Sequence, residues 1–193
     1  MKATTLCTLA FATTVVLAPI VSAPIVSAAD KQADKHAGPH AERAAARPAI
    51  FDKFKALEGT WEMEGGQDEH GHMPKGSVSY KVTAGGSAVM ETVFAGSEHE
   101  MVTLYYVEGD RMALTHYCML GNRPHMRALA SSEPNKITFR CPEGEDPALE
   151  AEQHMHQATF TFLDADHLKS EWVLYDNGKA EATHAATFVR KKK

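Results

Sequence analysis

The 193-residue chain contains few of the residues and motifs on which common catalytic sites depend. It has three cysteines and two tryptophans, and it lacks a Gly-x-Ser-x-Gly motif, a His-Glu-x-x-His motif and a phosphate-binding glycine loop. Its basic residues are scattered apart from the run at 190–193, so a nucleic-acid-binding surface is not indicated. The sequence therefore favours a binding protein over an enzyme.

Residues 1–28 have the pattern of a secretory signal peptide. A short basic start is followed by an apolar stretch at 6–21 and by Val26-Ser27-Ala28, an Ala-x-Ala-like site that predicts cleavage before Ala29. Two prolines interrupt the apolar stretch, whereas a membrane span needs about 20 consecutive apolar residues. We expect an exported protein, periplasmic or extracellular, with no membrane span after cleavage.

The rest of the chain divides into a linker and one domain. Residues 29–49 are polar and alanine-rich without an apolar period, which is typical of a flexible linker. Residues 50–190 have the length of a single domain with one core. At its start, the apolar positions in Ile50–Leu57 have helical spacing and predict a short helix that plugs one end of the domain.

After residue 58 the chain consists of short alternating runs separated by turn residues. Glycine allows a positive φ, and asparagine and aspartate bond to their own backbone, so these residues mark the turns. The predicted strands are approximately Thr60–Glu64, Gly76–Thr83, Ala88–Ala95, Met101–Val107, Arg111–Leu120, His125–Ala130, Lys136–Arg140, His156–Leu163, Leu168–Tyr175 and Ala180–Arg190. Ten short antiparallel strands predict an all-β up-and-down barrel or a sandwich.

The predicted strand Arg111–Leu120 contains the most informative pair of residues. Successive side chains of a strand point to opposite faces, so His116 and Cys118 share the more apolar face and should point into the barrel. A register error of one residue would turn both outward. The same alternation predicts further cavity residues on inward faces: Tyr80, Met90, Phe139, Phe160, Trp172 and His184.

The run Leu57-Glu-Gly59-Thr-Trp61 resembles the start of lipocalin and wider calycin barrels. In those barrels the tryptophan of Gly-x-Trp closes the barrel floor and a basic residue of the last strand packs on it. The resemblance therefore implies structural roles for Gly59 and Trp61 and a cation–π contact from Arg190. Residues 100–126 look like part of a group of secreted bacterial proteins of this shape. The resemblance implies a ten-stranded calycin-like barrel with a binding cavity.

The longer run "GTWEMEGG" is also similar to nitrobindin-type heme barrels, except that Met63 stands where the extended motif has glycine. Those barrels supply their heme-ligating histidine from near the C-terminus. The resemblance therefore implies His184 as a heme ligand, with the small residues Ala182 and Ala186 leaving space beside it.

The cysteines leave alternatives open. His116 and Cys118 are candidate metal ligands, because a neutral imidazole and a thiolate both bind transition metals. The alternative is a core histidine beside a small buried thiol. Export would permit a disulfide from Cys118 to Cys141, but a simple meander separates them by about 9–10 Å, beyond the limit of about 7 Å between Cα atoms. The spacing of His154 and His156 lets both face one way, although exposure of both to solvent is the favoured interpretation.

Two functions follow from these residues. The first is binding of a small, largely apolar molecule in the barrel, without turnover, because most inward side chains are apolar. The alternative is a heme or transition-metal protein that handles a gas, peroxide or redox stress through its inward histidines. The identity of the ligand stays open, as does the possibility that side chains fill the barrel completely.

Overall fold

The computed structural model describes residues 48–67, 76–131 and 133–192. The predicted signal peptide (1–28) and all but the last two residues of the predicted linker (29–49) lie outside the described residues. Among the described residues, no helix is long and apolar enough to span a membrane.

Ten antiparallel strands close into one barrel in which each strand pairs with the next and β1 pairs with β10. The fold class predicted from the alternation is therefore confirmed. Closure pairs each of these ten strands on both sides, so the sheet formed by the described residues has no unpaired edge strand. The elements are α1 (Ala49–Ala56), β1 (Gly59–Gln67), β2 (Ser77–Thr83), β3 (Ala88–Val93), β4 (Met101–Glu108), β5 (Arg111–Tyr117), β6 (His125–Ala128), β7 (Lys136–Arg140), α2 (Pro147–Glu150), β8 (His154–Phe162), β9 (His167–Asp176) and β10 (Lys179–Arg190).

The strand that contains His116 ends earlier than the sequence predicts. β5 stops at Tyr117 because the chain turns there: the Cys118 amide donates to the Asn122 carbonyl, and the Gly121 amide donates to the Cys118 carbonyl. His116 keeps the predicted inward direction and is buried. Cys118 is half-buried and lies in the turn after the strand.

An aromatic cluster fills one end of the barrel beneath α1. The ring of Phe54 lies 4.6 Å from Tyr105, 6.0 Å from Phe139 and 5.5 Å from Phe160, measured between ring centroids. Phe139 and Phe160 point inward as predicted, but they belong to this packed cluster and do not line a cavity. The reason is that α1 inserts Phe54 against both rings. The closed half of the barrel is therefore a solid core.

Trp61 and Arg190 form the contact that the calycin resemblance implies. The Arg190 guanidinium carbon lies 4.3 Å from the centroid of the Trp61 ring. The same guanidinium donates to the carbonyls of Ala56 and Glu58, and the Trp61 indole donates to another carbonyl of the helix end. Gly59 has a φ of 131°, a conformation that residues with a side chain rarely adopt. These bonds fasten the helix end to the first and last strands.

Candidate functional site

The half of the barrel away from α1 encloses a cavity of about 300 Å³, here called the barrel cavity. Its wall is predominantly apolar and includes four methionines, whose flexible thioether chains adapt to irregular shapes. Five of the residues predicted to line a cavity do so: Tyr80, His116, Cys118, Trp172 and His184. The barrel is therefore filled at one end and hollow at the other.

Apolar side chains surround the mouth of the barrel cavity. Met119 and Leu120, in the turn after β5, line the cavity although they are 53% and 45% exposed. The Cys118 thiol lies beside them, 3.9 Å from the sulfur of Met101. Phe94 also lines the mouth and has a φ of 56°, which is strained for a bulky residue. A ligand entering here would meet apolar surface first.

The cavity ends on a row of polar side chains that crosses four strands, here called the polar floor. The strand register places Tyr80 opposite Glu91, Glu91 opposite Thr103, and Thr103 opposite His116. Side chains directly opposite each other in paired strands are close enough to interact. Tyr105, two residues along from Thr103, joins this row and also contacts the aromatic cluster. The polar floor therefore separates the hollow half of the barrel from the packed half.

Glu91 is the centre of the polar floor. Its carboxylate accepts hydrogen bonds from Tyr105 at 2.8 Å and from Thr103 at 3.4 Å, and it is also bonded to Tyr80. Burial raises the pKa of Glu91, and these three hydroxyl groups partly offset that effect by stabilising the charged form. Burial, together with the charge of Glu91, raises the pKa of both tyrosines well above the usual range.

The predicted alternation puts Met90 in the cavity and so its neighbour Glu91 on the outer face, which is a register error of one residue. In β3, Val89 and Glu91 are buried and Glu91 lines the cavity, so Met90 lies on the opposite face. The alternation was misread because a carboxylate is normally an outward residue. The hydroxyl groups on β2 and β4 that bond to Glu91 were the signal that was missed.

The donors around Glu91 determine the tautomer of His116. The Thr103 hydroxyl donates its proton to Glu91, so its oxygen is left to accept from His116 Nδ1, 2.9 Å away. Nδ1 then carries the imidazole proton and Nε2 carries the lone pair. Burial lowers the pKa of His116 to about 4, so the ring is neutral at pH 7.

The second nitrogen of His116 has no partner. Nε2 is buried and makes no hydrogen bond, and the residue lines the barrel cavity with its ring 4.8 Å from that of Trp172. Leaving a buried polar atom unpaired costs about 1–3 kcal/mol, and such atoms are rare in folded proteins. Nε2 is therefore an unused hydrogen-bond acceptor on a residue that lines an apolar cavity.

The predicted metal ligands His116 and Cys118 both line the cavity, but a third ligand does not join them. Within the described part of the chain, Cys141, His154 and His156 form the only group of three His, Cys, Asp or Glu side chains whose ligand atoms converge within 4.8 Å. Burial raises the pKa of the Cys118 thiol, which disfavours the thiolate that binds metals. Cys118 and Cys141 are free thiols, and they line two different cavities.

The barrel cavity has a simple charge pattern. Among the residues that the structure describes, no lysine or arginine lines it, and the carboxyl group of Glu91 lies at its floor. His184 faces the cavity from β10, where it pairs in register with Trp172. The site thus offers two imidazoles and a carboxyl group in a mainly apolar enclosure.

Comparison with known proteins does not assign the chain to a family. No protein-family model matches the chain, and no curated protein matches it. A redesigned β-barrel is similar at 14% identity, covering 72% of this chain and 95% of that one, with a TM-score of 0.35. The crystal structure of Rv2717c from M. tuberculosis is similar at 12% identity, covering 75% of this chain and 99% of that one, with a TM-score of 0.46. Because both TM-scores are low, the assignment of a closed ten-stranded barrel rests on the strand pairing of the chain itself.

Proposed function

We propose that this protein is an exported calycin-like barrel that binds a small, neutral, largely apolar molecule with one hydrogen-bond donor, without turning it over. The observation that supports this most strongly is the buried, unpartnered Nε2 of His116 at the end of an apolar cavity. Ligand sites typically combine an apolar wall with a few placed polar groups that orient the ligand.

The volume of the cavity limits the ligand. Small-molecule sites range over about 300–1,000 Å³, and the barrel cavity, at about 300 Å³, lies at the lower end. A compact aliphatic or aromatic molecule fits this volume better than a long chain or a large ring system. The methionines of the wall would adapt to its outline.

The charges near the polar floor favour a neutral ligand. A carboxylate bound there would face the carboxyl group of Glu91 and a neutral imidazole, with no lysine or arginine among the described lining residues to compensate it. A buried charge without a partner is costly. A hydroxyl or N–H group, in contrast, would donate to His116 Nε2 and satisfy it.

A titration with three ligands of equal length tests this proposal. An alkane, the corresponding primary alcohol and the corresponding carboxylate are added separately, and binding is followed by the fluorescence of Trp172 and by native mass spectrometry. We expect the alcohol to bind best, because the hydrogen bond to Nε2 contributes about 0.5–1.5 kcal/mol, or roughly 2- to 10-fold in affinity.

Two variants distinguish the hydrogen bond from general apolar binding. His116→Leu should abolish the preference for alcohol over alkane, whereas His184→Leu, on another strand of the same cavity, should preserve it. Equal binding of alcohol and alkane by the unmodified protein would contradict the proposed role of Nε2. Absence of binding for all three ligands would contradict the proposed function.

A second candidate, heme binding, is favoured by the presence of two histidines in one apolar cavity. Thr103 holds the Nδ1 side of His116, which leaves the Nε2 lone pair available to coordinate iron, and His184 is the ligand that the nitrobindin resemblance implies. A bound heme would supply the chemistry for gas or peroxide. The cavity volume favours the smaller ligand, however. Titration with hemin tests this candidate. Heme binding would shift the Soret band, and loss of the shift in His116→Ala or His184→Ala would identify the iron ligand. Absence of a Soret shift in the unmodified protein would exclude heme.

A further inference from the structure

A second cavity, of about 480 Å³, lies outside the barrel wall and is here called the side cavity. The connection between β7 and β8, which includes α2, supplies most of its lining, and the start of β8 supplies His154. The next residue, Met155, lines the barrel cavity instead. Since neighbouring residues of a strand point to opposite faces, the wall of β8 separates the two cavities.

A β-bulge at the start of β8 brings two imidazoles together. Met155 pairs with Leu174 and Gln157 pairs with Val173, so His156 is the extra residue on the bulged strand. Bulges redirect side chains and are common beside functional sites. Here His156 Nδ1 lies 3.0 Å from His154 Nε2, and the His156 ring stacks on Tyr175 at 4.1 Å between centroids.

Cys141, at the end of β7, completes a buried cluster with these two histidines. The ligand atoms of Cys141, His154 and His156 all lie within 4.8 Å of one another, and the three residues are at most 8% exposed. His154 Nδ1 lies 2.8 Å from the backbone carbonyl of Glu152, to which it donates its proton. That bond leaves the Nε2 lone pair directed at the cluster, which is the usual orientation of a metal-binding imidazole.

The charges around this cluster suit a cation, although Cys141 must lose its proton to bind one. Burial and the neighbouring His154 lower the pKa of His156, so its ring is neutral near pH 7. Burial, with the charges of Asp146 and Glu150, raises the pKa of the Cys141 thiol to about 12, so this sulfur keeps its proton unless a cation displaces it. The carboxylates that raise this pKa would attract a metal ion.

An independent observation points to a ligand in the same cavity. Asn122 lines the side cavity, and its side-chain oxygen is buried and has no hydrogen-bond partner. The orientation of this side chain is fixed because the amide nitrogen donates to the Gln153 carbonyl at 2.8 Å. The amide oxygen is therefore free to accept a hydrogen bond from a molecule bound in this cavity.

From this geometry we infer that Cys141, His154 and His156 bind a transition-metal ion, with Zn²⁺ the best match to the donor set, and that the fourth position opens to the side cavity. One thiolate and two imidazoles with an open position form a familiar zinc arrangement, with Zn–S near 2.3 Å and Zn–N near 2.0–2.1 Å. Binding releases the thiol proton of Cys141 to solvent, and His156 moves its proton from Nδ1 to Nε2.

Metal titration of the full chain tests this inference. Zn²⁺ alone is added in calorimetry, in two buffers of different protonation enthalpy, and Co²⁺ alone is added in absorption spectroscopy, where a thiolate ligand produces a near-ultraviolet charge-transfer band. We expect one high-affinity Zn²⁺ per chain, release of about one proton, and the cobalt–thiolate band. Failure of the band to appear would overturn the inference.

Matched variants locate the site. Cys141→Ser should remove the cobalt–thiolate band and weaken Zn²⁺ binding at least 10-fold, and His154→Gln should weaken it similarly. Cys118→Ser, which alters the other free thiol, should leave both signals unchanged. Cys141→Ser is nearly isosteric, so it decides the question even where His154→Gln fails to fold. A band that persists in Cys141→Ser would overturn the proposed site.

Discussion

Acid should destabilise the folded barrel through His116. Its imidazole is buried, one nitrogen is bonded to Thr103, and the other has no partner. Burial lowers the pKa of His116 from 6.5 to about 4, so the folded protein resists a proton that the unfolded chain accepts. The folded-state pKa is the lower one. The contribution of the neutral ring to stability is therefore complete above about pH 6.5 and is lost as the pH falls towards 4.

The size of this effect follows from the difference between the two pKa values. A difference of about 2.5 corresponds to about 3.4 kcal/mol once the pH is well below 4, and to about 2.5 kcal/mol at pH 4.5. Other groups also titrate as the pH falls. The lowered pKa values of His156, Glu108 and Asp164 add to the loss of stability, whereas the raised pKa of Glu91 opposes it. Comparison with a variant at residue 116 isolates the contribution of the imidazole.

Urea unfolding at pH 7.0 and pH 4.5 measures the contribution of the imidazole in the unmodified protein, in His116→Leu and in His99→Leu. Between the two pH values the unmodified protein should lose about 2.5 kcal/mol more than His116→Leu. His99 is 50% exposed and lies 3.7 Å from Glu98, beyond hydrogen-bond distance, so His99→Leu should behave like the unmodified protein. If His116→Leu loses as much stability as the unmodified protein, the assigned pKa and its physical cause are wrong.

Further substitutions test the closed end of the barrel by denaturant unfolding at pH 7. Arg190→Met should lower the free energy of unfolding by about 2–4 kcal/mol, because it removes hydrogen bonds to three carbonyls and the contact with Trp61. Lys191→Met, which removes a neighbouring exposed ion pair, should lower it by less than about 0.5 kcal/mol. Equal losses in the two variants would contradict the bracing role of Arg190. Phe54→Ala should cost about 3–5 kcal/mol but change alcohol affinity less than about 2-fold, and a larger change would mean that the polar floor does not isolate the cavity. Gly59→Ala should cost about 1–3 kcal/mol because of its positive φ, and an unchanged denaturation midpoint would show that the backbone relaxes there.

Much of the fold was predictable because a half-buried strand shows alternating apolar and polar residues in its sequence. Period-two alternation and turn residues were sufficient to predict ten strands, and helical spacing of apolar residues predicted the helix before them. The exceptions lie where a long-range contact overrides the local pattern. β5 ends at Tyr117 because of hydrogen bonds across the following turn, and Phe139 and Phe160 are packed by a helix from the other end of the chain.

The sites were less predictable than the fold, because their polar side chains can be buried only when groups on other strands bond to them. Glu91 was misassigned because its partners lie on other strands, where sequence separation hides them. His116 was correctly placed inward, but its unpaired nitrogen depends on Thr103, which the pattern did not single out. Beside the side cavity, His154 and His156 were recognised as able to face one way, but the favoured exposed position is wrong because both are buried. The bulge and the approach of Cys141 were not predicted.

The division of the barrel by its polar floor has a consequence for how such a protein can change. The helix, the aromatic cluster and the Trp61–Arg190 contact hold the chain together at one end, while the shape of the hollow half depends on different side chains. Under the proposed function, substitutions at the mouth, for instance at Met119 or Leu120, should therefore alter which molecule is accepted while leaving the interactions that keep the chain folded in place. A designer could use this separation of stability from binding to build a sensor on the same scaffold.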